Sequence, residues 1–504
     1  MTTRMVKKAN QTSVRPEESV RPEPLEGLAW SSTFRPARSK PGPIRTAVCA
    51  LVVATLAGCA AVGPTYQRTA VDTPVAFKEG PGAWVPATPA DTLERGQWWE
   101  LFGDPVLNAL AQRVALDNQN VAQAVAAYAQ ARALTAQQRA SLFPTVGLNL
   151  GASRRGGGGD TPSSSSYSVS IGGSWEPDVW GRLGRAVDAA RAGEQASTSD
   201  LAAARLAAQG ELAANYFGLR TLDIARGLLQ ATIAGYQRNL QITQNRYTAG
   251  IVARTDVLQA QTALANAQAD LLGVERNRAQ LEHAIAVLVG VAPASFSLPA
   301  EASWSIQLVA VPVTLPSTLL QRRPDIAAAE RRVAAANEQI GIAVAGYFPS
   351  LSLNGSAGLG AATIGELFTA SSLVWSLGVQ LAQTLFNGGL TGSRVDAARA
   401  AQEAAAARYR QIVLGAFQQV EDQLVASRVL GQQQALREQA SQGADLVEQQ
   451  VLNRYQAGQV SYTEVINAQA TALNARRALA QLQADRQTAA AALIQALGGG
   501  WTGL

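Results

Sequence analysis

Apolar positions recur along most of this chain at spacings of three and four, over runs far longer than an ordinary globular helix. From Gly181 to Tyr247 no proline interrupts the pattern, and Leu219, Leu222, Leu229, Ile233, Tyr236, Leu240 and Tyr247 fall on one ladder with some rungs skipped. That ladder predicts a coiled-coil seam. Sixty-odd residues at ~1.5 Å each predict a rod on the order of 100 Å. Beyond Gly250 the pattern runs back through Val257, Leu264, Leu271, Val274, Leu281, Ile285 and Leu288 to Gly290, so the rod folds on itself as an antiparallel pair. A shorter helix is predicted from Asp104, with Pro105 in the first turn, to about Leu142, where Pro144 ends it. Between the helices the period changes to two. Val146, Leu148 and Leu150 alternate with Gly147, Asn149 and Gly151, then Tyr167, Val169, Ile171 and Trp175 alternate with serines and glycines, which predicts two strands.

The same order returns. Asn-Arg-Tyr-Thr-Ala-Gly at 245–250 recurs as Asn-Arg-Tyr-Gln-Ala-Gly at 453–458, an offset of 208, and Val187 to Arg191 recurs at Val395 to Arg399. A second short helix opens around Pro324 and ends at Tyr347-Phe348-Pro349, as the first ended at Leu142-Phe143-Pro144. Leu351, Leu353, Ala357 and Leu359 form a third strand, and Trp375, Leu377, Val379, Leu381 and Leu385 a fourth. The chain therefore divides into an N-terminal extension and signal (1–58), an extended arm (59–103), a first repeat (104–290), a linker (291–316), a second repeat (317–499) and a tail (500–504). Each repeat carries a helical hairpin whose turn is Gly250 or Gly458, the residue that tolerates positive φ where a helix stops. The Gly156–Gly159 run precedes no helix and lacks a following Gly-Lys-Ser/Thr, so it reads as a mobile hairpin loop and not a phosphate cradle.

Charge changes the picture less than the formal net of +5 suggests. Residues 1–58 hold nine Lys/Arg against four Asp/Glu, which leaves 33 basic (42 less 9) and 33 acidic (37 less 4) residues in the remainder. A neutral body gives no reason to expect nucleic acid as a partner. The only cysteines are Cys49 and Cys59, so no disulfide staples the body. Arg35, Arg38, Lys40 and Arg45 precede a short apolar run ending in Leu56-Ala57-Gly58-Cys59, which resembles a bacterial lipobox. That resemblance implies cleavage before Cys59, a covalent lipid on its thiol, and sorting to the outer membrane, since Ala60 stands where a retention acid would.

Four strands cannot close a barrel, and an open sheet with one apolar face would be left in lipid with unpaired edges. Strands of ~10 residues with an apolar outer and a small polar inner face suit a membrane barrel around an aqueous lumen. The simplest resolution is an oligomer; a trimer would give twelve strands, with the helix pairs continuing below as a hollow cylinder. The bland alternative is a helical protein whose two hairpins pack face down on helices.

At this point the residues resemble a family, the TolC-like outer-membrane factors, in particular the OprM-like lipoprotein branch. The resemblance spans about Tyr66 to Gly499 and rests on Leu320-Gln-Arg-Arg-Pro-Asp-Ile-Ala-Ala-Ala-Glu330, the paired Phe-Pro sequences, Trp175-Glu-Pro-Asp-Val-Trp-Gly-Arg182 and the two Arg-Tyr-x-Ala-Gly tips. It implies a mainly α fold with a membrane β-barrel, a homotrimer with a 12-stranded barrel on an α-helical coiled-coil tunnel, anchored in outer-membrane lipid and reaching into the periplasm. It implies conduction and no catalysis: an inner-membrane pump of the RND type, bridged by a periplasmic adaptor (membrane fusion) protein, would load substrate that this channel passes out. No cofactor beyond the lipid is implied. By resemblance Glu464 and Asn467 sit where the family lines its periplasmic constriction, with Tyr455 and Arg454 in the gate, and Arg246, Tyr247, Gly250 and Gly458 form the adaptor-contact tips. The residues themselves leave alternatives open. Glu464 reads equally as a first-turn helix acid, Tyr247 and Tyr455 as seam packing, and Arg246 and Arg454 as C-terminal caps. An enzyme reading fares badly, since the single histidine, His283, lies on a seam-bearing helix. A conduit of a type I-like secretion system and a coiled-coil structural lipoprotein are the competing functions.

Overall fold

The computed structural model describes residues 61–72, 77–79, 97–158, 163–304 and 323–499. The lipobox, most of the 59–103 arm, part of the linker, Leu320 to Arg322 and the 500–504 tail lie outside the described residues. After a 3-10 turn at Trp98–Phe102, the order is α1 (Pro105–Asp117), α2 (Gln119–Ala140), β1 (Thr145–Arg155), β2 (Ser164–Trp175), α3 (Arg182–Thr248) and α4 (Arg254–Leu288). It continues with α5 (Pro324–Ala345), β3 (Ser350–Ala361), β4 (Leu373–Ala382), α6 (Leu390–Gln456) and α7 (Tyr462–Ala496). The outgoing helices α3 and α6 have 67 residues each and the returning helices α4 and α7 have 35. At ~1.5 Å per residue the long helices are rods of about 100 Å.

One expected helix is two. Asn118 interrupts the run from Asp104 with an extended backbone, and its side chain accepts from Asn120 N at 2.9 Å and Val121 N at 3.1 Å while donating to Leu288 O at 2.8 Å. A short amide side chain that bonds the backbone nearby competes with the helix and favours a cap. The break aims α1 into the main core and leaves α2 beside α3.

The strands form one antiparallel sheet in the order β1-β2-β3-β4. Register puts Leu148, Ile171, Ala357 and Trp375 in one row and Leu150, Val169, Leu359 and Leu373 in the next. These rows share a face, because cross-strand partners do. The other face carries Asn149, Ser168, Ser170, Asn354, Ser356 and Gln380. No helix covers the apolar face: Leu150 is 73% and Leu377 77% exposed. Gly358 is demanded by the polar face, where a Cβ would lie 2.3 Å from Val169 O. Among the described residues β1 and β4 each have one edge without a partner.

The buried mass lies in the helices. Trp98, Phe102, Leu107, Leu110 and Val114 pack against Tyr216, Phe217 and Leu219 of α3 and Ile285 of α4; Ile326 and Val333 of α5 pack with Tyr409, Val413 and Val420 of α6. Each such side chain contributes about 1.5–3 kcal/mol. Asp104 caps α1, accepting from Val106 N and Leu107 N, and also takes hydrogen bonds from Tyr216 OH (2.7 Å) and Trp304 Nε1 (3.0 Å). Burial pushes its carboxyl up, but those donors outweigh burial and hold it below the ordinary carboxylate value. The same carboxylate, after burial, keeps the Tyr216 phenol well above its usual value and protonated.

Deeper still, Asp223 accepts from Arg220 at 3.0 Å, from Arg278 at 2.6 Å and from Glu301 N at 3.1 Å. Arg278 also reaches Leu298 O and Glu282, and Glu282 takes Leu298 N. These charges fasten the first part of the linker onto the α3–α4 hairpin.

At the sheet end, Asp178 accepts from Leu183 N and Gly184 N to start α3, and Trp180 donates to Pro349 O at 2.7 Å while stacking on Phe348. The arm is stapled there: Val62 N donates to Trp180 O, and Arg185, paired with Glu338 at 2.6 Å, also holds the carbonyls of Gly63 and Pro64.

Candidate functional site at the helix tips

Both long helices end alike. At the first tip Ala249 N donates to Asn245 O, Gly250 N to Tyr247 O and Ile251 N to Arg246 O; at the second, Ala457 N, Gly458 N and Gln459 N donate to Asn453 O, Tyr455 O and Arg454 O. Gly250 and Gly458 take φ of 71° and 76°. This left-handed closure satisfies carbonyls that a helix end leaves free, and a side chain at either glycine would be strained.

Beyond the backbone the tips differ. Tyr247 is 46% exposed, whereas Tyr455 is 5% exposed. The Tyr455 ring rests against Tyr462 with centroids 5.4 Å apart, and its hydroxyl meets Thr243 Oγ1 of α3 at 3.3 Å. Arg246 crosses from the first tip to the second. Its guanidinium stands 4.9 Å from the Tyr455 ring centre and donates to Tyr455 O at 3.3 Å. Arg246 thus caps the neighbouring hairpin's helix in place of its own. Arg454 is exposed.

Near the tips Ala260 of the first hairpin packs in an apolar cluster with Tyr455, Tyr462 and Val465 of the second. Higher up, Asn239 of α3 donates to Gln469 of α7 at 3.4 Å, a polar contact across the seam, and above it Ala225, Leu229, Val274 and Leu473 make the seam apolar again. Tyr462 is buried, and its hydroxyl has no hydrogen-bond partner. Burial, with Tyr455 and Tyr236 close by, pushes that phenol well above its usual value.

Glu464 lies in the first turn of α7 as the distal member of a capping box: its side chain accepts from Ser461 N at 3.4 Å while Ser461 caps the Glu464 backbone. Glu464 and Asn467 are both exposed and, three residues apart, share a helix face. Asp256 holds the matching first-turn place in α4, where Ala253 supplies no side-chain cap. His283 is exposed on α4, and the described residues contain no group of three His, Cys, Asp or Glu able to hold a metal. No described helix is long and apolar enough to cross a membrane.

Two features here lay outside the sequence reading. Tyr462 and Thr243 complete the setting of Tyr455, and the signal for both was present. At the repeat offset Tyr462 faces Arg254 and Thr243 faces Val451, so the copies diverge at the two positions that touch Tyr455.

The outer membrane efflux protein family matches residues 110–291 and 315–499. The probable efflux pump outer membrane protein TtgC of Pseudomonas putida is 31% identical over 456 residues, covering 88% of this chain and 93% of that protein. The cation efflux system protein CusC of Escherichia coli is 28% identical over 451 residues, covering 89% and 97%. The solved outer-membrane channel OprN superposes with a TM-score of 0.79 at 28% identity, over 87% of this chain and 99% of that one. This chain belongs to the outer membrane efflux protein family. Its fold is that of the TolC-like channels, and it is an efflux channel component of the outer membrane that extends into the periplasm.

Proposed function

We propose that three copies of this chain close one 12-stranded barrel and one helical tunnel, forming the passive exit duct of a tripartite efflux pump. The observation that carries this is the four-stranded sheet with a bare apolar face and a free edge on both β1 and β4. In lipid every backbone donor must be paired, so those edges require strands from other copies. Phe143, Trp175, Tyr347 and Phe386, all exposed where the strands meet the helices, suit the aromatic girdle of the inner interface. Ala61 and Val62 are held at that same level, against Gly181 and Trp180, so a lipid on Cys59 two residues earlier would enter the inner leaflet directly.

At the other end, Gly250, Gly458, Tyr247 and Arg246 present the tip surface to a periplasmic adaptor, which links the channel to an RND-type inner-membrane pump. Tyr455, gripped by Arg246 and Thr243, ties the two hairpins together, and Glu464, Asn467 and Arg454 face the constriction. Three copies of Glu464 give one acidic ring, which attracts cations. A capping box does not conflict with that role, because the cap uses one carboxylate oxygen. Relatives of comparable likeness are named for different cargoes, cations for the 28% identical CusC and pyoverdine for the 31% identical OpmQ of Pseudomonas aeruginosa. Cargo selection therefore resides in the pump. This also supports efflux over a secretion conduit, and the bare sheet disfavours a structural lipoprotein.

Cysteine pairs test the closure. Cysteines at Leu148 of β1 and Leu377 of β4 in one chain, treated with a short bifunctional reagent in native membranes, are expected to give linked dimers and trimers. Only monomer after complete thiol reaction would refute barrel sharing.

A further inference from the structure

The outer end of the sheet carries a charge on the face that meets lipid. Along β1 the apolar face runs through Val146, Leu148, Leu150 and Ala152, and the next residue on it is Arg154. Arg154 stands opposite Ser165 in the ladder, and Ser163 and Tyr167 flank Ser165 on the same face. Arg155 falls on the polar face, with Asn149, Gly151 and Ser153. All of β1 is exposed. Among the described residues Arg154 has no carboxylate partner, and its guanidinium reaches only Ser163 Oγ, at a long 3.5 Å.

Height decides what that guanidinium meets. Ser165 lies ten residues along β2 from Trp175, which the barrel reading sets at the inner interface. At ~3.3 Å per residue and a strand tilt of ~40°, that is about 25 Å, the height of the apolar band of a membrane barrel. Arg154 therefore stands at the outer rim of the band, one row beyond Tyr167, whose ring suits the aromatic girdle there. A guanidinium left in hydrocarbon is costly, and the long arginine stem lets its head reach out to the headgroups.

We propose that Arg154, with the hydroxyls of Ser163 and Ser165, binds the phosphate of an outer-leaflet lipid, one per copy. The inference rests on the membrane-barrel reading and names a lipid partner for its outer rim. A planar guanidinium beside two hydroxyl donors matches the oxygens of a phosphate. The outer leaflet of a bacterial outer membrane is built of a phosphorylated glycolipid, lipid A, so the ligand surrounds the barrel wherever it is inserted. With the phosphate on Arg154, the acyl chains run down the face of Leu150, Val169 and Leu359, which no helix covers.

Native mass spectrometry of the full-length trimer in nonionic detergent tests this, with titration of diphosphoryl lipid A and of the same lipid stripped of both phosphates. Loss of the phosphates is expected to weaken binding by at least about tenfold. Arg154→Gln should weaken binding of the diphosphoryl lipid by a similar factor, and Arg154→Lys should restore part of it. Arg155→Gln, on the lumen face of the same strand end, should leave it unchanged. The inference is overturned if the stripped lipid binds equally well, since the apolar band alone would then hold it. It is also overturned if Arg154→Gln binds like wild type, or if Arg155→Gln weakens binding as much. Displacement by millimolar inorganic phosphate would overturn it too, by making the site one for free anions. Should Arg154→Gln not assemble, the comparison of the two lipids on the wild type still decides. A conducting trimer without phosphate preference sinks the lipid site alone; chains that neither trimerise nor conduct sink the barrel reading and this inference with it.

Discussion

Replacing Asp223 by Ala removes the acceptor at the centre of the buried charge network and leaves everything around it in place. Asp223 is 1% and Arg220 2% exposed. The carboxylate takes a 3.0 Å bond from Arg220, a 2.6 Å bond from Arg278 and a 3.1 Å bond from Glu301 N. Arg220 keeps Pro299 O and Tyr216, and Arg278 keeps Leu298 O and Glu282, so neither guanidinium is stripped bare. What is lost is the fully buried carboxylate that both arginines share, which leaves Arg220 only the half-exposed Glu301 at 3.8 Å and Arg278 only Glu282 as ion-pair partners. Breaking one partner out of a buried ion pair costs about 3–5 kcal/mol. At about 2 °C per kcal/mol for a large domain, thermal unfolding should fall by about 6–10 °C. Asp223→Asn, which still accepts one bond, should fall less. The assay is loss of helical circular dichroism on heating in detergent, together with proteolysis of the 291–304 segment. A shift below about 2 °C for Asp223→Ala, with that segment still protected, would refute the claim that these charges fasten the linker.

Further expectations follow from the same contacts. The folded Asp104 carboxyl titrates below its unfolded value of ~3.9, so its stabilisation is complete above that pH and lost as pH falls through the folded value. The thermal-midpoint gap between wild type and Asp104→Asn should therefore shrink below about pH 4; a gap independent of pH would contradict the assignment. Arg246→Ala removes a ring contact worth about 0.5–1 kcal/mol and a hydrogen bond worth about as much, per copy. It should raise the resting conductance, and an unchanged resting current would remove Arg246 from the gate. Glu464→Gln keeps the capping box but not the charge, so cation preference should drop while thermal stability holds. Unchanged selectivity would leave Glu464 as a helix cap alone. Cys59→Ser should abolish labelling by radioactive palmitate while barrel oligomers still form; their complete loss would show that the lipid directs assembly.

How much of this was legible before the fold depended on the range of the interaction. Local and periodic signals carried over. The alternation at Val146–Leu150 and Trp375–Leu381 became strands with one apolar face, and the 208-residue offset reappears in the starts of α3 and α6 and of α4 and α7. The break at Asn118 was hidden because apolar spacing continues through it, and only a side chain bonding its own backbone marks the stop. The Asp223 network was hidden for another reason. Its partners lie 3, 55 and 78 positions away, and no periodicity links them. At the tips the twin motifs suggested twin environments, yet Tyr455 is buried and Tyr247 is not. The deciding residues, Tyr462 against Arg254 and Thr243 against Val451, lie outside the motif, in the copies' divergent positions.

The central claim is that this chain conducts only when several copies complete a shared barrel. Single-channel recording of the purified oligomer in a planar lipid bilayer tests it most directly. Discrete conductance steps are expected from the fraction that migrates as a trimer and none from dissociated chains. Steps from monomer, or a silent bilayer with intact trimer inserted and Arg246→Ala present, would contradict it.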